Sequence, residues 1–176
     1  MTKVLVLYYS QSGATQKLAH LIARGVEEQG CEAVIRRVPS ISATTESSEA
    51  AIPSDCDLYA KHQDLIDCDG LVVGSPTRFG NMAAALKYFI DGTSEIWMNG
   101  KLADKPVSFF TSSGSLHGGQ ESTLLSMFNP FLHHGMLLCG LPYSETDLLH
   151  TRSGGTPYGV SHWSGQDGKQ PISEHE

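Results

Sequence analysis

Val4-Leu5-Val6-Leu7-Tyr8-Tyr9-Ser10-Gln11-Ser12-Gly13-Ala14-Thr15 is the stretch on which the fold turns. It begins as a short, continuous apolar run rich in Val and aromatics, which reads as a strand buried on both faces. The run stops abruptly at hydroxyl and small residues. Beyond them Leu18, Leu21, Ile22 and Val26 recur at steps of three and four, which predicts a helix with those residues on its apolar side and Gly30 as its stop. The turn between strand and helix leaves backbone N–H groups free to point at one spot, and the helix dipole favours negative charge there. Ser10, Ser12 and Thr15 add hydroxyls, and Gly13 permits close approach, so the stretch suits a phosphate without any Lys or Arg. It lacks the Gly-Lys-Ser/Thr of a Walker A loop and the three spaced glycines of the dinucleotide fingerprint. Taken alone, it reads equally well as a polar cap joining a strand to a helix.

The same pattern repeats along the chain. Glu32 to Val38 is a second strand candidate. Its Arg36 and Arg37 fit either a sheet edge or a snorkelling pair on a half-buried strand. Residues 40–57 are rich in Ser, Thr, Ala and Glu and read as a surface insertion. A short helix around His62 to Ile66 leads to a third strand, Gly70 to Gly74, which ends in Ser75-Pro76-Thr77-Arg78-Phe79-Gly80-Asn81. A helix from about Met82 to Trp97 follows. The fourth strand, Val107 to Thr111, runs into Ser112-Ser113-Gly114-Ser115-Leu116-His117-Gly118-Gly119, and Gln120 to His134 reads as a helix kinked at Pro130. Met136 to Cys139 is the fifth strand, with Cys139 as a buried, inert thiol. Residues 140–168 show no convincing period and read as a long loop.

Alternating strands and helices predict an α/β fold: a doubly wound, five-stranded parallel sheet with helices on both faces. The order 2-1-3-4-5 would bring the loops after strands one, three and four together at the carboxyl ends, where such sheets bind ligands. That convergence strengthens the phosphate reading of the first loop. With 176 residues the chain is expected to form one domain. A formal charge of −7 and the lack of a basic cluster disfavour nucleic-acid and anionic-membrane partners. No apolar stretch is long enough to cross a bilayer. Four cysteines without a C-x-x-C pair, and no charged-then-apolar leader before the first strand, suggest a reduced, cytoplasmic protein.

Several motifs carry a family resemblance. Ser10 to Thr15 resembles the flavodoxin phosphate loop, which implies that the doubly wound sheet is flavodoxin-like. Pro76 to Met82, Gly118-Gly119-Gln120-Glu121, His133-His134-Gly135-Met136 and Gly154-Gly155-Thr156-Pro157-Tyr158-Gly159 are similar, in order and spacing, to the WrbA family of NAD(P)H:quinone oxidoreductases. The resemblance implies tightly bound FMN, with its phosphate on Ser10, Gln11, Ser12, Gly13, Ala14 and Thr15. It places the isoalloxazine beside Pro76, Thr77, Arg78, Phe79 and Gly80 and beside Ser112, Ser113, Gly114, Ser115, Leu116 and His117. It also implies a homotetramer in which Trp97 and His133 line active sites shared between subunits. Two departures stand out. Many members have Tyr-Gly-His where this chain has Ser12-Gly13-Ala14, which puts a stacking role over nicotinamide in doubt and leaves Ser12 as a substrate-side residue. The family also ends in a further helix, which is expected to be missing here, with part of one sheet face left bare.

Arg78 is a candidate to stabilise negative charge on reduced flavin near N1 and C2=O, with a plain surface arginine as the other reading. Phe79 and Trp97 are candidate apolar walls; residue spacing alone favours core packing for Trp97. His133 reads by itself as a dipole-favoured residue at a helix end, and the resemblance makes it a candidate hydrogen-bond donor or proton source for a quinone. His133 and His134 are adjacent, so they point to different helix faces and no metal is expected. The expected activity is ping-pong, two-electron reduction of quinones by NAD(P)H through FMN. The alternative is a flavodoxin-like one-electron carrier that docks to redox proteins. A phosphoacceptor domain of the same topology would need carboxylates where the chain has Tyr9-Ser10 and Gly74-Ser75.

Overall fold

The computed structural model describes residues 1–41 and 57–176. The insertion expected near 40–57 therefore lies, apart from its ends, outside the described residues. Strand β1 (Lys3–Tyr8) pairs in parallel with β2 (Glu32–Arg37) on one side and β3 (Gly70–Pro76) on the other. Strand β4 (Pro106–Ser113) follows β3, and β5 (Leu137–Leu138) follows β4, giving the order β2-β1-β3-β4-β5. The expected order is thus observed, with β2 and its two arginines at an edge. Arg36 donates through Nε to Asp64 at 3.1 Å.

Strand alternation divides the core in two. Leu5 and Leu7 of β1 join Val107 and Phe109 of β4 on one face, under α2 (His62–Asp67), α3 (Ala84–Asp91), α4 (Ser94–Met98) and α5 (Gln120–His133). Val6, Tyr8 and Phe110 face the other way, against Leu18, Ala19 and Ala23 of α1 (Ala14–Glu28). Period-two side chains on a sheet covered by helices on both faces give this split. Residues 164–176 contain no helix, and Ile172 rests on the α1-side cluster.

Several expectations need correction. In α1 the buried stripe is Ala14, Thr15, Leu18, Ala19 and Ala23, while Leu21 is exposed, because small residues let the helix lie close to the sheet. The helix expected from Met82 to Trp97 is two helices broken at Gly92 and Thr93. The Gly92 amide closes α3 on Tyr88 and Phe89, and the Thr93 hydroxyl donates to the Ile90 carbonyl at 2.6 Å. The break turns Ile96 inward and leaves Trp97 48% exposed. Strands β3 and β4 run further than expected, as far as Pro76 and Ser113, because each pairs with the other through the register Pro76 to Ser112. Cys139 is exposed, not buried: β5 has only two residues, and Cys139 keeps its backbone bond to Val107 while its thiol lies outside the sheet.

The largest omission concerns residues 140–168. They contain a short helix, α6 (Asp147–His150), and a sixth strand, β6 (Val160–Trp163), parallel to β4. Pro106 and Val107 of β4 pair with β5, whereas Phe110 to Ser113 pair with β6. The far side of β4 is taken by β3, so β5 and β6 share one edge. The fifth strand position is divided between two segments by the chain that links them.

Candidate functional site

Four loops leave the carboxyl ends of β1, β3, β4 and β6 and enclose a cavity of about 240 Å³. The first loop supplies Ser12, Ala14 and Thr15. Gly13 caps α1 at φ 90°, a left-handed conformation that favours glycine, and its amide donates to the buried Ser10 hydroxyl at 3.1 Å. The first intrahelical bond runs from the Lys17 amide to the Gly13 carbonyl at 3.0 Å. The amides of Ala14, Thr15 and Gln16 therefore have no intrahelical acceptor, and open space lies where a Gly13 side chain would begin.

The second loop brings Pro76, Thr77 and Arg78 to the same cavity. The Arg78 guanidinium donates to the Thr77 carbonyl at 2.8 Å and to the Gln11 side-chain oxygen, so it links the first and second loops. Arg78 and Asn81 exchange backbone bonds around Phe79 and Gly80, both at positive φ, as in a type I′ turn. Phe79 is fully exposed there with φ 54°, an uncommon conformation for a bulky side chain that is characteristic of ligand sites. Its ring borders a neighbouring cavity of about 590 Å³ with Tyr9, Gln11 and Arg78.

The third loop locks onto the second. Thr77 Oγ1 lies 2.6 Å from Thr123 Oγ1, and a methyl group added at Gly119 would come within 2.9 Å of the Gly80 Cα. Ser112, Ser113 and Gly114 line the 240 Å³ cavity. The Ser113 hydroxyl donates to the Ser115 carbonyl at 2.8 Å, and beyond that turn Leu116 and His117 border a different cavity. The fourth loop, Ser164 to Gly168, is the part that sequence reading missed. The Ser164 amide bonds to the Ser113 carbonyl at 2.8 Å and fixes this loop over the third. Its Ser-Gly-Gln-Asp-Gly composition matches the other three loops, and recognising β6 as a strand would have exposed it.

Trp97 and His133 are brought together, but away from these loops. They border a separate cavity of about 430 Å³ with Thr93 and His134. The Thr93 hydroxyl gives its proton to Ile90, so it accepts from His134 Nε2 at 2.9 Å. The buried Nδ1 of His134 is then an acceptor without a partner among the described residues. Burial, and then the neighbouring His133, hold His134 below the ordinary histidine value of 6.5. The unfolded chain takes up this proton before the folded one, so the stabilising contribution is present above about pH 6.5 and is lost as pH falls through the folded value. Urea midpoints measured from pH 7.5 downward are expected to show this decline, and His134→Gln is expected to flatten it.

The family profile described as NADPH-dependent FMN reductase matches residues 2–143. The chain belongs to this family. An NAD(P)H dehydrogenase (quinone) of Sinorhizobium fredii is 42% identical over 180 residues, covering 100% of this chain and 90% of that protein. One of the same name from Rhizobium rhizogenes is 40% identical with the same coverage of both chains. Among solved structures, a WrbA-like flavodoxin from Agrobacterium tumefaciens superposes with a TM-score of 0.61 at 26% identity, over 78% of this chain and 76% of that one. Flavodoxin 2 from Bacillus cereus shares the fold at a TM-score of 0.56 and 22% identity, covering 77% of each chain. The WrbA-type membership expected from the motifs is thereby established, and FMN is the family's cofactor.

The residues present fit the phosphate end of FMN. A phosphate is offered amides that lack an intrahelical acceptor, hydroxyls and a helix N-terminus, and Gly13 leaves room for it. No helix among the described residues is long and apolar enough to cross a membrane.

Proposed function

We propose that the protein is an NAD(P)H:quinone oxidoreductase that transfers electrons in pairs, with the nicotinamide nucleotide and the quinone using one pocket in turn. The observation that carries this reading is the full-length likeness to two relatives named NAD(P)H dehydrogenase (quinone). FMN supplies the redox chemistry when bound, taking a hydride from the nicotinamide and passing two electrons to the quinone, which also takes up two protons, one of them from solvent.

The chain's own residues bind and orient. Ser10 to Thr15 hold the phosphate by amides and hydroxyls. Thr77 and Ser112 to Gly114, at the adjacent ends of β3 and β4, border the same cavity. Arg78, held by Gln11 and its own loop, presents a fixed positive charge that favours full reduction. The exposed Phe79 ring offers an apolar surface to a flat acceptor. His133 and Trp97 lie in their own cavity, and in a homotetramer they would reach a neighbour's site, where His133 would hold a proton for the quinone oxygen.

Anaerobic stopped-flow mixing of FMN-loaded protein with NADH or NADPH tests the reading. The visible flavin band is expected to bleach in one fast step, and a quinone added afterwards is expected to restore it. Absence of bleaching with either nucleotide would leave the one-electron carrier as the better account.

A further inference from the structure

A hollow of about 430 Å³ lies on the other side of the third loop from the FMN cavity. Leu116, His117, Glu121 and Ser122 form one wall, and Thr151, Arg152 and Ser153 form the other. Arg152 differs from the other arginine and lysine that border cavities here. Arg78 is committed to Gln11 and Thr77, and Lys87 is paired with Asp91 at 2.6 Å. Arg152 is exposed and, among the described residues, makes neither a side-chain hydrogen bond nor an ion pair.

The turn that carries Arg152 is built rather than loose. The amides of Ser153 and Gly154 donate to Thr151 Oγ1 at 3.4 and 3.3 Å. Gly155 donates to the Ser161 hydroxyl at 2.8 Å, and that hydroxyl donates in turn to the buried Gln120 at 2.9 Å. Gln120 closes the chain on Ser113 at 2.9 Å, at the edge of the FMN cavity. An uncommitted guanidinium is thus held on a fixed frame beside the flavin loops. Opposite it stand an imidazole, a carboxylate and an exposed leucine, a set that matches a ribose phosphate better than a bare inorganic anion.

We propose that this hollow holds a phosphate of the reduced nicotinamide nucleotide through Arg152, with Glu121 accepting from a ribose hydroxyl. The proposal rests on the nucleotide-oxidising reading above. The phosphate is either the 2′-phosphate, present in NADPH alone, or the pyrophosphate common to NADH and NADPH.

Two measurements separate these sources. In steady-state kinetics, Arg152→Ala is expected to raise the nucleotide KM about tenfold or more, as loss of a bidentate charged contact does, and Arg152→Lys to recover part of it. A rise for NADPH alone assigns the 2′-phosphate, and a rise for both nucleotides assigns the pyrophosphate. The effect should shrink with added salt. Lys101→Ala, an exposed change elsewhere, serves as the control. In calorimetry, FMN-loaded wild-type protein is expected to bind 2′-AMP or ADP, and Arg152→Ala to bind the same probe at least about tenfold more weakly. Unchanged KM for both nucleotides, or equal probe binding by wild type and variant, overturns the proposal. A wild-type protein that oxidises neither nucleotide removes the activity reading instead, and calorimetry still decides the hollow.

Discussion

Gly119→Val is expected to weaken FMN binding by roughly tenfold to a hundredfold while leaving most of the fold in place. Gly119 caps α5 at φ 93°, where a β-branched side chain is strongly disfavoured. Its first carbon would also meet the Gly80 Cα at 2.9 Å and the Ser122 hydroxyl at 3.1 Å. Ser122 can rotate away, but the Gly80 backbone can yield only if the Arg78 to Asn81 turn moves with it. That turn carries Arg78 to the cavity and supports Phe79 at its tip. The strain and the clash together cost about 1–3 kcal/mol, and whatever part is relieved by moving the turn appears as lost cofactor affinity. Fluorescence titration of the apoprotein with FMN reads this directly. An unchanged Kd accompanied by a lower melting temperature would mean that the contact between the second and third loops serves the fold alone.

Gly159→Ala is expected to cost about 3 kcal/mol of stability, which lowers the melting temperature by roughly 6–12 °C for a chain of this size. The added methyl would lie 2.2 Å from the Phe109 carbonyl oxygen and 3.2 Å from Leu124 Cδ2, at φ 148°. Phe109 and Leu124 are both buried, and the oxygen belongs to the backbone of β4, so neither neighbour can step aside. The residue also stands immediately before β6, whose Val160 pairs with Phe110. Moving it shifts the register that brings Ser164 to Ser113, and so loosens the fourth loop over the 240 Å³ cavity. Gly100→Ala makes a useful comparison, because Gly100 has φ 60° with nothing within 4 Å and tests backbone strain alone, worth about 1 kcal/mol. Equal melting temperatures for the two variants would remove the clash from the account.

Much of the site was readable before the fold was known, for a local reason. Ser10 to Thr15, Pro76 to Gly80 and Ser112 to Gly114 each follow an apolar run that can only be a buried strand, and strands at the centre of a parallel sheet end on one side of it. What stayed hidden depends on contacts between distant segments. Val160-Ser161-His162-Trp163 has no apolar run of its own, and it is a strand because β5 stops at Leu138 and leaves the rest of the β4 edge to be paired. The Met82 to Trp97 stripe looked continuous because periodicity does not register the carbonyl groups that Gly92 and Thr93 satisfy at the break. Cys139 looked buried because an apolar run does not reveal where its partner strand ends.

The sequence by itself determined the first five strands, the parallel α/β class, and the three loops at the carboxyl ends of β1, β3 and β4, the first of them suited to a phosphate, because hydrophobic period, turn chemistry and glycine placement act over a few residues. The tertiary structure alone decided that a fourth loop encloses the cavity, that Arg78 is clasped by Gln11, that Arg152 stands beside the third loop with no side-chain partner among the described residues, and that Trp97 and His133 share a separate hollow. Each of these is a meeting of segments far apart in the chain, and such meetings are set by edge pairing and side-chain reach across the folded surface.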